Sequence, residues 1–192
     1  MDAAAVVFGE KGFEKARVSD IARRCGLTTG AIYARWANKG ELFLAVVNDV
    51  KPRRAVFVVN ESQMPTSEKF EAIGANLLPT GPDELRDLML EALVIARRHK
   101  TFSADVALSL QEEADVLSAM INEGKAADLV DQSLSTEAIV FCYQALSIGT
   151  HLVTRSGTSS QRAPSSDEWN TIVKRFLGSL IPSQSDVPPI DN

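Results

Sequence analysis

"CGLTTGAIYARWANKGELF", residues 25 to 43, is the stretch that decides the fold. Gly26 supplies a turn, Thr28 stands in a helix-capping position, and a short helix follows with Tyr33, Arg35 and Trp36 close together. Asn38 and Glu41 then form an N-x-x-E capping box that opens a further helix. Just upstream, "VSDIARRC" reads as a two-turn amphipathic piece with Val18, Ile21, Ala22 and Cys25 facing inward. Three short helices within about 35 residues, with a glycine turn before a short third one, is the helix-turn-helix plan. Ile21, Ala22, Leu27 and Ile32 have the spacing to pack the two helices across that turn.

Such packing leaves the front of the third helix exposed. Thr28, Thr29, Gly30 and Ala31 would enter a major groove first, with Tyr33 and Arg35 a turn later. Gly30 and Ala31 are small enough to approach base edges or thymine methyls. Thr28 and Tyr33 offer hydroxyls to phosphate oxygens, and Lys39 sits at a helix N-terminus, where backbone N–H groups also favour phosphate. A plain packing role is the alternative for each: Thr28 as a cap, Tyr33 and Trp36 as rings against their neighbours. Packing is preferred for Trp36. For Tyr33 recognition is preferred, because its hydroxyl needs a partner that a short apolar core does not supply.

The charge distribution agrees once it is divided. The chain as a whole stands at −5. Residues 1–54 hold ten Lys or Arg against six Asp or Glu, which leaves the remainder at −9. A basic N-terminal quarter on an acidic body is the footprint of a polyanion-binding module, although uneven surface scatter gives the same sum. No stretch approaches the roughly 20 uncharged apolar residues of a membrane helix, and no signal-peptide pattern is visible, so the expected compartment is the cytoplasm. Cys25 and Cys142 make neither a disulfide framework nor a metal-ligand spacing, and are expected as reduced, buried small hydrophobes.

The rest of the chain reads as helix, and the expected fold class is all-α. "MDAAAVVFGEKGF" has Ala4, Val7 and Phe8 on one face and Gly12 as its closing glycine. Pro52 ends or kinks the fourth helix near residues 49–51, and "RRAVFVVNES" resumes as helix in preference to a strand. Further helices are expected over 67–78, from Pro82 at a first helical position through "DELRDLMLEALVIARRHK", over 103–122, over 135–154, and from a Ser165/Glu168 cap to about Ile181. "TRSGTSSQRAPSS" reads as a loop and 183–192 as a frayed tail.

The motif A-x-x-x-F-x-E-x-G-F, then V-x-x-I-A, then G-L-T-x-G-x-I-Y, then K-x-x-L runs through about residues 3–47. This quarter of the chain closely resembles the N-terminal DNA-binding domain of the TetR family of bacterial transcriptional regulators. The resemblance implies a homodimer with a DNA-binding domain at 1–50 and an effector-binding and dimerisation domain at 51–182. It puts Thr28, Tyr33 and Lys39 on operator phosphates, with Thr29, Gly30, Ala31 and Arg35 where base readers sit. Three departures stand out. Arg17 replaces the usual threonine cap of the second helix, leaving Ser19 or water to cap it. Arg35 stands where histidine is common. The sequence also begins inside the first helix, ahead of which many members carry a short basic arm.

In the acidic body, Phe70, Met89, Leu93, Phe102, Met120, Phe141 and Tyr143 are candidates to line an apolar or aromatic effector's cavity, each of them also readable as ordinary core. Ala145, Ile148, Gly149 and Leu152, with Trp169, Val173 and Phe176, are candidates for the dimer interface, since two such apolar helices would otherwise expose large patches. The expected function is sequence-specific transcriptional regulation, as a repressor released by a small molecule, with no cofactor, no metal and no enzymatic activity. The alternative is a helical protein-interaction adaptor that keeps the fold without specific DNA binding. An enzyme lacks support: His99 and His151 are isolated from any nucleophile or ligand pattern, and Glu112 with Glu113 reads as a solvated helix face.

Overall fold

The computed structural model describes residues 1–78, 83–155 and 164–180. They form ten α-helices: α1 (Asp2–Lys15), α2 (Val18–Cys25), α3 (Thr29–Tyr33), α4 (Lys39–Val50), α5 (Ala55–Glu61), α6 (Thr66–Asn76), α7 (Glu84–Arg98), α8 (Lys100–Ala126), α9 (Thr136–Arg155) and α10 (Ser166–Gly178). No strand occurs among the described residues. The expected all-helical class therefore holds.

Two local features depart from the simple helix reading. Gly12 does not close α1 but breaks it, at φ 73° and ψ 162°, and one further turn carries Phe13 into the core. An L side chain is strained at that φ. The amide freed by the break, that of Phe13, donates to Glu91 Oε1 of α7 at 2.5 Å. After Val50, Lys51–Arg53 form a 3-10 turn containing Pro52, and α5 resumes as helix. Proline has no N–H to continue the α4 ladder, so the chain turns a corner there.

Helix starts are set by side chains. Asp83 caps α7, its Oδ1 accepting from the Leu85 and Arg86 amides at 3.1 Å each. The first helical residue is thus Glu84, while Pro82 lies outside the described residues. Ser165 and Glu168 form the expected capping box of α10. The loop reading of residues 156–163, the end of the last helix at Ile181 and the tail 183–192 also lie outside the described residues.

The chain divides into two compact units. One comprises Met1–Val58 with Gly81–Glu113, the other Val59–Thr80 with Ala114–Asn192. The first is built on four phenyl rings. Phe8 and Phe43 meet edge-on at 5.0 Å between centroids, Phe13 and Phe43 at 5.2 Å, and Phe13 and Phe102 at 5.6 Å. Val46, Val47 and Val50 of α4 and Leu88, Ala92 and Ile95 of α7 complete that core. In the second unit α6 packs on α10. A Cβ built on Gly74 would lie 2.4 Å from Val173 Cγ1, and the Trp169 indole N–H donates to the Gly74 carbonyl at 3.2 Å.

Several inward assignments are corrected. Ile21, Ala22 and Ile32 are buried, but Leu27 is 54% exposed because the turn at Gly26 swings it outward. Cys25 and Cys142 are both exposed, not buried. Glu113 is buried, not solvated, because it is ion-paired with Arg54 at 2.6 Å.

Phe43 is fully buried, so Phe43→Ala is expected to cost about 3–5 kcal/mol in urea unfolding followed by helix ellipticity. Leu27→Ser should stay within about 0.5 kcal/mol in the same measurement. Equal costs for the two would place the core elsewhere.

Candidate nucleic-acid interface

The helix-turn-helix is assembled by backbone bonds and one hydroxyl. Gly26 closes α2 in the left-handed region, at φ 67° and ψ 27°, and the Leu27 amide returns to the Ala22 carbonyl at 2.9 Å. Thr28 then caps α3, its Oγ1 accepting from the Ala31 amide at 3.1 Å. Only Ile32 of α3 is buried. Thr28, Thr29, Gly30, Ala31, Tyr33 and Arg35 are all exposed, so the structure brings six of the seven sequence-predicted contact residues onto one open segment. Tyr33 is 47% exposed, and its hydroxyl bonds to no other described residue. Trp36 is half-buried against the core of its unit, the packing role preferred for it. The Arg35 guanidinium lies 5.0 Å from the Trp36 ring centroid, a stacked arrangement that leaves its edge N–H groups available.

Lys39 is the exception. Its ammonium donates to the carbonyls of Phe13 at 2.7 Å, Glu14 at 3.2 Å and Ala16 at 3.3 Å. It also sits 4.4 Å from the Phe13 ring centroid. These carbonyls lack helical partners because α1 ends at Lys15. In this arrangement the side chain ties α4 to α1. The capping box beside it also differs in detail. Asn38 Oδ1 accepts from the Glu41 amide at 2.9 Å, but Glu41 reaches back to the Ala37 amide at 3.0 Å. Arg17 stands at the start of α2, where no side chain caps the helix, Ser19 included.

The basic character of residues 1–54 is mostly used internally. Lys11 and Arg23 both pair with Asp20, and Arg24 lies 3.6 Å from Glu10. Lys51, Arg53 and Arg54 pair with Glu112, Asp2 and Glu113. That leaves Lys15, Arg17 and Arg35 without an acidic partner among the described residues, with Lys39 held by carbonyls alone. The hydrogen bond from Lys11, joined by the charges of Lys11 and Arg23, holds the Asp20 carboxyl below its ordinary value.

The other candidate residues are divided between the two compact units. Phe102 belongs to the phenyl cluster of the first unit, and Met89 and Leu93 pack against that same core. Phe70 and Met120 lie in the second unit, Met120 fully buried, while Phe141 is 74% exposed. A groove of about 720 Å³ in the second unit is lined by Glu68, Glu71 and Ala72 of α6 and Asn170, Thr171, Val173 and Lys174 of α10, of which the sequence singled out only Val173, and for another role. Of the proposed interface residues, Val173 and Trp169 turn inward onto α6. Ala145, Leu152 and Phe176 remain exposed, Ile148 and Gly149 half so, and Phe141, Val153 and Ile172 join them as exposed apolar residues. His151 is buried, and no grouping of His, Cys, Asp or Glu that could hold a metal ion occurs among the described residues.

A helix-turn-helix presenting the front of its short third helix, within an otherwise all-helical chain, is the fold of a class of DNA-binding regulators. Residues 1–46 match the family described as bacterial regulatory proteins, tetR family. The A-factor receptor protein of Streptomyces griseus is 41% identical over 49 residues, which is 26% of this chain and 18% of that protein. The match thus spans under a fifth of the relative's length. A TetR-family transcriptional regulator from Cytophaga hutchinsonii superposes with a TM-score of 0.76 at 18% identity, covering 95% of this chain and 93% of its own. A regulator from Saccharomonospora viridis, solved in complex with choline, gives 0.74 at 18% identity over 94% of each chain. The likeness therefore extends over nearly the whole fold, with sequence similarity concentrated in the helix-turn-helix. No helix among the described residues is long and apolar enough to cross a membrane.

Because the folded Asp20 carboxyl titrates below its ordinary value of 3.8, its ion pairs contribute stability above that pH and lose it as pH falls through the folded value. Lys11→Met should move the Asp20 titration upward in carboxyl-resolved NMR. An unmoved titration would assign the shift to Arg23 alone.

Proposed function

We propose that the chain is a sequence-specific DNA-binding transcriptional regulator, acting as a repressor that a small molecule releases from its operator. The observation carrying this reading is the exposed front of α3, where two hydroxyl-bearing threonines, two small residues, an unpartnered tyrosine hydroxyl and a stacked arginine stand in sequence. Thr29, Gly30, Ala31 and Arg35 are the base readers. Thr28, Tyr33 and the backbone N–H groups at the start of α4 take phosphates, joined by Lys15 and Arg17, which have no acidic partner among the described residues. The DNA-binding part is residues 1–50, with residues 51–182 serving effector binding and dimerisation.

Dimerisation uses α9 and α10. Phe141, Ala145, Gly149 and Leu152 recur on α9 at helical spacing, as Ile172 and Phe176 do on α10, and such a stripe is stable in water when covered. A second copy places two α3 helices on successive major grooves. The effector is a small organic molecule. A solved neighbour holds choline, which supports small-molecule binding within this fold without specifying the ligand of this chain. Release is a population shift between operator-competent and operator-incompetent spacings.

Selection of genomic fragments by the purified protein at fixed salt should enrich a two-fold-symmetric site, and random duplex should be bound with a steep inverse salt dependence. Tyr33→Phe should weaken binding about fivefold on all sequences, as expected for the loss of one phosphate hydrogen bond. Arg35→Ala should relax the preference at one position. A folded protein with no enriched sequence and no salt dependence would establish the adaptor reading instead. Leu152→Arg with Phe176→Glu should yield monomers in sedimentation, and an unchanged dimer would remove α9 and α10 from the interface.

A further inference from the structure

Lys51 and Arg54 flank Pro52, and each is held by one of two consecutive glutamates of α8. Lys51 Nζ pairs with Glu112 Oε2, and Arg54 Nη2 donates to Glu113 Oε1 at 2.6 Å. The Arg54 and Glu113 side chains are only 16% and 6% exposed, and the other two are partly buried at 24% and 38%. Neighbouring residues on a helix project about 100° apart, so two successive carboxylates can grip a chain corner from two directions. The grip falls where the backbone is weakest as a transmitter. Pro52 interrupts the hydrogen-bond ladder between α4 and α5, and the chain crosses the corner in a 3-10 turn whose Arg54 amide donates to the Lys51 carbonyl at 3.0 Å.

We propose that Glu112 and Glu113 clamp the 51–54 corner to α8 and act as positioning residues for DNA binding, setting where α4 and the helix-turn-helix packed on it come to rest. This rests on the reading of the chain as a DNA-binding regulator. Arg54 is the principal member. Its pair is the most buried, and removal of Glu113 strands a cation inside the protein. Arg54 bonds through one nitrogen only, Nη1 being buried without a partner. A point charge in its place can therefore hold the clamp, whereas a neutral side chain cannot.

The test compares the full chain with Glu113→Gln, Arg54→Met and Arg54→Lys, with Lys51→Met as a milder variant should the buried changes impair folding. Backbone hydrogen exchange is followed over 51–58, over α4 and over α9 as a remote reference, alongside affinity for a duplex recovered by fragment selection and for random duplex. Glu113→Gln and Arg54→Met are expected to accelerate exchange at 51–58 at least tenfold more than in α9. They should weaken the selected duplex about tenfold with little change on random duplex, and Arg54→Lys should stay near the parent in both. Uniform acceleration along the chain, or local acceleration with unchanged duplex affinity, overturns the positioning role. A parent that binds no duplex overturns the DNA-binding reading on its own account. In that case an unchanged exchange rate at 51–58 overturns the clamp as well, and a locally raised one supports the clamp without the DNA role.

Discussion

The edge-on contacts among Phe8, Phe13, Phe43 and Phe102 are the constraint on which the first compact unit depends. These rings come from α1, from the turn after its break, from α4 and from α8, so a single apolar cluster joins segments up to 94 positions apart in the sequence. Edge-to-face rings at such separations combine large buried area with defined geometry, so the cluster specifies angles as well as adhesion. The room for it is made by small residues. A Cβ on Gly40 would lie 2.8 Å from Phe102 Cζ, so α4 can begin on that ring only with glycine there.

Around the cluster the polar groups follow as consequences. The Gly12 break that turns Phe13 inward frees its amide, the end of α1 at Lys15 frees several carbonyls, and buried backbone groups left so are costly. Glu91 of α7 takes the amide and Lys39 of α4 takes the carbonyls. Both α4 and α7 are thereby fixed to the end of α1 by charge as well as by packing. The Lys51 and Arg54 pairs with α8 extend the same logic to the far end of α4. The α4 helix is thus tied at both ends, and the short α3 that precedes it inherits a defined position with only Ile32 buried.

Much of this was legible in the sequence where the signal is local. Thr28 and Asn38 as caps, Gly26 as a left-handed closure, the corner at Pro52 and the Ser165/Glu168 box each depend on residues within a few positions, and each is present. The amphipathic spacing that put Ile21, Ala22 and Ile32 inside is local as well. Leu27 was misplaced because periodicity carries no information through a turn, and the left-handed residue before it reverses the direction in which the chain presents its side chains. Cys25 fits the α2 spacing but is its last residue, where the helix ends and the side chain stays exposed.

What the sequence by itself determined is the helical class, the helix-turn-helix and the exposed identity of the α3 front, because caps, turns and short-range periodicity are properties of neighbouring residues. Only the tertiary structure decided the partners of the charges and the fate of the aromatic and apolar residues in the body. The carbonyls beside the Lys39 ammonium lie 23 to 26 positions away. Glu113 reads as solvated until Arg54, 59 positions away, meets it. Phe102 joins Phe13 and Phe43, and Val173 packs where Gly74 makes room for it. The physical reason is common to all four: burial and Coulomb attraction act between groups close in space, and the separation of residues along a chain does not specify that distance.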